Sequence, residues 1–224
     1  MSQPLNGIRS ILFDLDGTLV DSAPDLAGAA NDLLAARQRP ACDYPVLRPH
    51  AGSGARGMIG AAFGLAPGDA GYDALRDEFL QVYATRLLRH TQLFDEVSAV
   101  FEALQAADVP IGIVTNKALH LAAPLVDGLG LRPPARVLIG GDSTPHTKPH
   151  PAPLWAGCEA LGVQAAQCVY VGDDPRDMRA ARAAGMAGWA AAWGYLGVAE
   201  PVAAWGAQAV LDSPREVLKR LGLA

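Results

Sequence analysis

The chain has 224 residues, half of them hydrophobic, and a formal net charge of −5 at pH 7. Charged residues make up 18 %, against a usual share of about 25 %. That apolar balance excludes a disordered chain, and the acidic balance speaks against nucleic acid or an anionic membrane as partner. Three cysteines, Cys42, Cys158 and Cys168, form no CxxC pair, as expected of reduced thiols in a cytoplasmic protein. The opening MSQPLNGIRS lacks the basic and long apolar regions of a signal peptide. Residues 185–199, GMAGWAAAWGYLGVA, carry no charge, but a bilayer span needs about 20 apolar residues, so no membrane segment is expected.

Ser10–Phe13 is a short apolar run and predicts a buried strand. No convincing strand follows in residues 22–93. Leu26, Ala29, Ala30, Leu33 and Leu34 recur at helical spacing, as do Leu75, Phe79, Val82, Tyr83 and Leu87 on the segment Tyr72–Arg89. Between them HAGSGARGMIG, residues 50–60, reads as a Gly-rich loop and short helix. The rhythm then changes. Val97, Val100, Phe101 and Leu104 predict a helix, and further helices are expected over Leu119–Leu129, Ala152–Leu161 and Pro175–Ala184. Apolar runs at Ile111–Thr115, Val137–Gly140, Cys168–Val171, Trp189–Ala192 and Ala209–Leu211 predict strands between them, without alternation, as in a parallel sheet covered on both faces. Ser213-Pro214-Arg215-Glu216 reads as a capping box for a last helix. The expected fold is α/β: a doubly wound parallel sheet from residues 1–21 and 94–224, with an all-helical insertion over 22–93.

The chemistry collects at strand ends, where open α/β sheets bind ligands. Asp14 and Asp16 follow the first strand in ILFDLDGTLVDS, residues 11–22, with Gly17 permitting a tight turn. Strand alternation would point both carboxylates to one side, and a hard divalent cation would relieve their repulsion. A turn with one solvated and one capping aspartate accounts equally for these residues alone. Thr115 with Asn116 offers a hydroxyl and amides for phosphate oxygens, or a helix N-cap. Lys148 lies between prolines in a loop, where lysines are usually solvated. VGDDPRD places Asp173 at a strand end as a candidate metal ligand, with Asp174 as a cap for the helix opened by Pro175 and Asp177 beyond. An acidic cluster, an anion cradle and one lysine together are the apparatus of phosphoryl transfer. No P-loop and no GxSxG elbow is present. His146 and His150 flank Lys148 but lack the further ligands a zinc site needs. Trp155, Trp189 and Trp193 read as core.

DLDGTLVDS, TN, the lysine of Lys148-Pro149 and GDDPRD, in that order, resemble the four motifs of the haloacid-dehalogenase superfamily. The resemblance covers residues 11–22 and about 95–224, and the insertion resembles the superfamily's helical cap on a Rossmann-like core. It implies that Asp14 is the nucleophile and that Asp16 is the acid and base. Thr115, Asn116 and Lys148 would bind phosphate, and Mg2+ would be held by Asp14, the Asp16 carbonyl and Asp173. Asp174 and Asp177 would support that site. Dehalogenase members lack an acid at the position of Asp16, so a phosphatase or phosphomutase is implied. The chain is similar to the phosphoglycolate phosphatase group of carbohydrate metabolism. DSTPHTKPHPAPL, GDDPRDMRAARAAGM and AAWGY are similar also to phosphatases of N-acetylmuramic acid 6-phosphate in cell-wall recycling. A sugar phosphomutase is the third alternative. The implied partner is a small phosphate ester, and the protein would be a monomer or homodimer. His50, Ser53, Gly54 and Arg56 lie in the cap loop implied to face the site, with Arg56 and Ser53 as specificity residues. Arg56 could grip a substrate carboxylate, or be a solvated surface arginine.

Overall fold

The computed structural model describes residues 7–197 and 200–223. Residues 1–6 of the opening segment, Val198 and Ala199 of the uncharged stretch, and Ala224 lie outside the described residues.

Strand β1 (Ser10–Phe13) is central in a six-stranded, all-parallel sheet. On one side it pairs with β4 (Ile111–Val114), which pairs with β5 (Ala135–Ile139). On the other side come β6 (Cys168–Gly172), β7 (Ala187–Ala191) and β8 (Ala209–Leu211). The chain thus winds outward in both directions from β1, which puts a topological switch point, and a crevice, at the strands' carboxyl ends. The absence of alternation has a direct cause. Ile11 and Phe13 face α5 (Val97–Ala106), α6 (Leu119–Gly128) and α9 (Glu216–Leu221), whereas Leu12 faces α7 (Ala152–Leu161) and α8 (Pro175–Ala184). Each of these side chains is essentially fully buried, and burial of one such group contributes about 1.5–3 kcal/mol.

The expected helical stretch within residues 22–93 is there, and it folds as α1 (Ala23–Ala36), α2 (Tyr44–Leu47), α3 (Gly54–Phe63) and α4 (Tyr72–Ala84). Leu26, Leu33, Met58, Ile59, Leu75 and Phe79 bury against one another in a cluster of their own, joined from the sheet side by Leu121 and Tyr195. Two short strands, β2 (Val20–Asp21) and β3 (Gln92–Leu93), pair antiparallel where the chain leaves and rejoins the sheet layer. Two residues each carry too little pattern to be read from sequence. The short helix expected in residues 50–60 is α3, while the expected Gly-rich loop before it is a 3-10 turn over Arg48–Ser53 that runs straight into it. The capping box expected at Ser213 is replaced by Glu216, which accepts from the amide of Asp212 at 3.0 Å. Trp189 is buried as expected and Trp193 is half-buried, but Trp155 is 47 % exposed, its ring nitrogen donating to the carbonyl of Ala184 at 3.3 Å. No helix of the described residues is long and apolar enough to cross a membrane.

Candidate active site

The carboxyl ends of β1, β4 and β6 converge with the loop between β5 and α7. Asp14 follows β1, Thr115 follows β4, Asp173 follows β6, and Lys148 comes in from the loop. Lys148 is not solvated; its side chain is 2 % exposed. The ammonium donates to Asp14 Oδ1 at 2.9 Å, Asp177 Oδ1 at 2.8 Å and the Tyr170 hydroxyl at 2.7 Å, so each of its three protons has an acceptor. Tyr170 in turn donates to the carbonyl of Val114 at 2.7 Å. The Asn116 side chain fixes the lysine's main chain, accepting from Lys148 N and donating to Lys148 O, both at 2.9 Å. That ties the Asn116 side chain to the lysine and leaves its backbone amide open to a ligand. Thr115 is buried and is not the N-cap of α6, a position held by Ala118; its Oγ1 accepts from the amide of Lys117 at 3.1 Å.

Asp14, Asp173 and Asp177 form one acidic cluster, with one oxygen of each within 4.8 Å of the others. Three oxygen donors this close can hold a hard divalent cation. The chain is built to bring them together. A Cβ at Gly17, where φ is +85°, would overlap the Asp173 carboxylate, and a Cβ at Gly194 would overlap Asp173 and the carbonyl of Gly17. Asp173 itself accepts from Thr18 Oγ1 and from the amide of Tyr195, each at 2.9 Å. Burial, with Asp14 and Asp177 adding to it, pushes the Asp173 carboxyl well above the usual range. Burial also lifts Asp177 to about 7, with Lys148 opposing and Asp14 and Asp174 assisting. For Lys148, burial disfavours the charge, but Asp14 and Asp177 outweigh it and hold the ammonium above its ordinary value. Asp174 is the N-cap of α8, accepting from Arg176 N at 2.8 Å while its own amide donates to Asp177 at 3.1 Å. Burial works against its charge, yet the Arg176 guanidinium at 2.7 and 2.8 Å keeps it below the carboxylate norm.

Asp16 is placed differently from Asp14. Strand β1 ends at Phe13 and the chain bends at Leu15, so strand alternation does not govern the pair. The Asp16 carboxylate stands outside the acidic cluster. It accepts from Ser22 Oγ and from Lys117 Nζ, the latter at 3.0 and 3.1 Å from its two oxygens. Among the described side chains its counter-charge is this lysine.

Above these groups lies a cavity of about 350 Å3. Asp14, Asp16, Thr115 and Lys148 form its floor; Tyr72, Phe79, Leu80 and Tyr83 of α4, with Ser53, Gly54 and Arg56, form its roof. Arg56 is exposed and has no ion-pair partner among the described residues, while Ser53 is half-buried. His50 stands outside the cavity wall. Arg176 also reaches the roof, donating to the carbonyl of Gly52 at 2.6 Å. His146 and His150 are exposed, their ring centroids 4.2 Å apart and their planes tilted by 34°, with no third metal-ligating side chain among the described residues.

A family model described as haloacid dehalogenase-like hydrolase matches residues 8–185. The chain belongs to that hydrolase family. It is 45 % identical over 210 residues to a phosphoglycolate phosphatase of Xanthomonas campestris pv. campestris strain 8004, covering 93 % of this chain and 94 % of the relative. It is 37 % identical to an N-acetylmuramic acid 6-phosphate phosphatase of Pseudomonas putida, covering 95 % of each. Among solved structures it is similar to a predicted phosphoglycolate phosphatase from Haemophilus somnus 129pt, with a TM-score of 0.84, 29 % identity, and 96 % and 98 % of the two chains covered. The doubly wound parallel sheet expected from the sequence is the fold of this hydrolase, and the resemblance read from its motifs holds.

Several residues of this hydrolase's site carried no signal in isolation. Thr18 lay in the same short motif as Asp14 and Asp16, and Lys117 directly after Thr115 and Asn116; both could have been nominated by adjacency. Tyr83, Tyr170 and Tyr195 could not. They sit inside ordinary apolar patterns, and only the packing reveals which hydroxyls or amides meet charged groups.

Proposed function

We propose that this chain is a magnesium-dependent phosphatase that hydrolyses a small phosphate monoester through an aspartyl-phosphate on Asp14, with 2-phosphoglycolate as the first substrate. One observation carries the reading: the Asp14 carboxylate lies at a cavity floor between a buried ammonium and two buried carboxylates. A phosphate dianion cannot approach a carboxylate unless cations neutralise both.

In this reading Asp14 Oδ1 is occupied, by Lys148 and by the amide of Leu15 at 2.8 Å, which leaves Oδ2 to attack phosphorus. The Oδ2–P bond forms as the bond from phosphorus to the leaving oxygen breaks, and Asp16 gives its proton to that oxygen. Asp16 then takes a proton from the water that attacks phosphorus, and the Asp14–phosphoryl bond breaks to release inorganic phosphate. The Thr115 hydroxyl, whose oxygen already accepts from Lys117 N, has its proton free for a phosphoryl oxygen; the Asn116 amide and Lys148 hold the others. Mg2+, held by Asp14, Asp173 and the Asp16 carbonyl, would supply Lewis-acid charge neutralisation. Asp177 orients Lys148, and Asp174 anchors α8 beside it. Residues 1–21 and 94–224 then act as the catalytic core and 22–93 as a cap, with Arg56 and Ser53 addressing the substrate's carboxylate.

A second reading has its own observation. A cavity of about 350 Å3 falls in the range that encloses drug-sized ligands, more room than a two-carbon ester fills. That favours N-acetylmuramic acid 6-phosphate, which also presents a carboxylate. A phosphate-release screen with Mg2+ over 2-phosphoglycolate, N-acetylmuramic acid 6-phosphate, sugar phosphates and nucleotides decides. The highest kcat/KM on 2-phosphoglycolate upholds the first reading. A tenfold preference for the amino-sugar ester transfers the proposal to the second, and an isomer formed without phosphate release overturns both.

A further inference from the structure

Besides Lys148 and Arg176, Lys117 brings a further cation to the site, and nothing in the phosphate-transfer reading uses its side chain. Its ammonium touches both oxygens of Asp16 at 3.0 and 3.1 Å and donates to the Tyr83 hydroxyl at 2.8 Å. The same ammonium lies 4.6 Å from the centroid of the Tyr83 ring. The Lys117 side chain is 8 % exposed, so the group is held by these partners and not by water. The three residues come from three places: the loop after β1, the loop after β4, and α4 over the cavity. Without Lys117 the Asp16 side chain would keep Ser22 as its partner, a single hydroxyl that leaves its rotation about the Cα–Cβ bond less restricted.

We propose that Lys117 is a positioning residue that sets the Asp16 carboxyl at the leaving-group side of the cavity and, through Tyr83, makes that placement depend on α4 lying over the site. The acid is then assembled when the roof is in place and loosened when α4 withdraws. The inference rests on the reading of Asp16 as the acid. It specifies which atoms translate the position of the helical segment into chemistry: Tyr83 Oη, Lys117 Nζ and the two Asp16 oxygens.

The test uses leaving-group demand. An alkyl phosphate needs a proton on its leaving oxygen; an aryl ester such as p-nitrophenyl phosphate, whose leaving group is a stable anion, needs it far less. The ratio of kcat/KM for an alkyl ester to that for p-nitrophenyl phosphate, measured with Mg2+, reports the acid alone. A positioned acid is worth about 10²–10⁴-fold. Lys117→Met should lower this ratio by about a hundredfold, Lys117→Arg should restore a large part of it, and Tyr83→Phe should lower it by about tenfold. Tyr83→Phe removes a single oxygen and decides the matter should Lys117→Met fail to fold. Equal losses on both esters, or no loss in either variant, overturn the proposal. Asp16→Asn separates the two levels. A collapse of the ratio there but not in the Lys117 and Tyr83 variants removes the positioning role, and an unchanged ratio in Asp16→Asn removes the acid itself.

Discussion

Lys148 Nζ stands 2.9 Å from Asp14 Oδ1 and 2.8 Å from Asp177 Oδ1, in a side chain 2 % exposed. One ammonium therefore serves two carboxylates that burial would otherwise leave uncompensated. Its removal strands both. Lys148→Ala is expected to lower turnover by at least a hundredfold and to destabilise the metal-free fold by about 3–5 kcal/mol. Steady-state kinetics and urea denaturation in the presence of a chelator check the two parts. An unchanged rate would return Lys148 to the status of a loop residue.

The raised carboxyl of Asp177 makes a signed pH prediction. Its folded value of about 7 exceeds the unfolded value of 3.8, so the folded state binds the proton more tightly. Stability from this group is fully present below about pH 4 and is lost as pH rises through 7; Asp173 shifts in the same direction. Mg2+ held by Asp14 and Asp173 would favour the ionised form of Asp173 directly and that of the adjacent Asp177 through its charge. The rise in melting temperature on adding Mg2+ should therefore grow from about pH 5 to about pH 8. Thermal melts with Mg2+ and with chelator across that window test it, and a rise independent of pH would count against a cation at these carboxylates.

Gly194 tests the packing behind the acidic cluster. A Cβ there would overlap Asp173 and the carbonyl of Gly17, and the backbone at this position has no positive φ to complicate the result. Gly194→Ala should cost about 1–3 kcal/mol through overpacking and weaken Mg2+ binding, read by isothermal titration. Wild-type affinity in a stable variant would show that Asp173 is not held in place by this contact.

Arg56 lies on the cavity roof without an ion-pair partner among the described residues. Arg56→Ala should raise KM about tenfold for carboxylated phosphate esters and have a smaller effect on esters lacking a carboxylate. Equal KM changes for both classes would leave Arg56 a surface arginine.

The strands and the motif order were legible because they follow local rules. Ile11, Leu12 and Phe13 are apolar without alternation because the sheet is covered on both faces, and each motif sits at a strand's carboxyl end. The partners of the charged groups were not legible. Lys117 finds Tyr83 34 positions earlier and Asp16 101 positions earlier, and nothing in a lysine's neighbours announces an ion pair of that range. Lys148 reads as a solvated loop residue because its burial comes from Tyr170 and Asp177, which only the fold brings up. Trp155 departs from its sequence pattern for the converse reason. A tryptophan in an apolar stretch suggests core, yet its helix position turns the ring outward and only its nitrogen finds Ala184.

The covalent role of Asp14 is the claim on which the rest depends. Rapid acid quench of the enzyme with Mg2+ and substrate, followed by peptide mass spectrometry, reads it directly. A mass gain of one phosphoryl group on the peptide containing Asp14, absent in Asp14→Asn along with turnover, is the predicted result. Undiminished hydrolysis by Asp14→Asn, or phosphoryl transfer to a different residue, would contradict it.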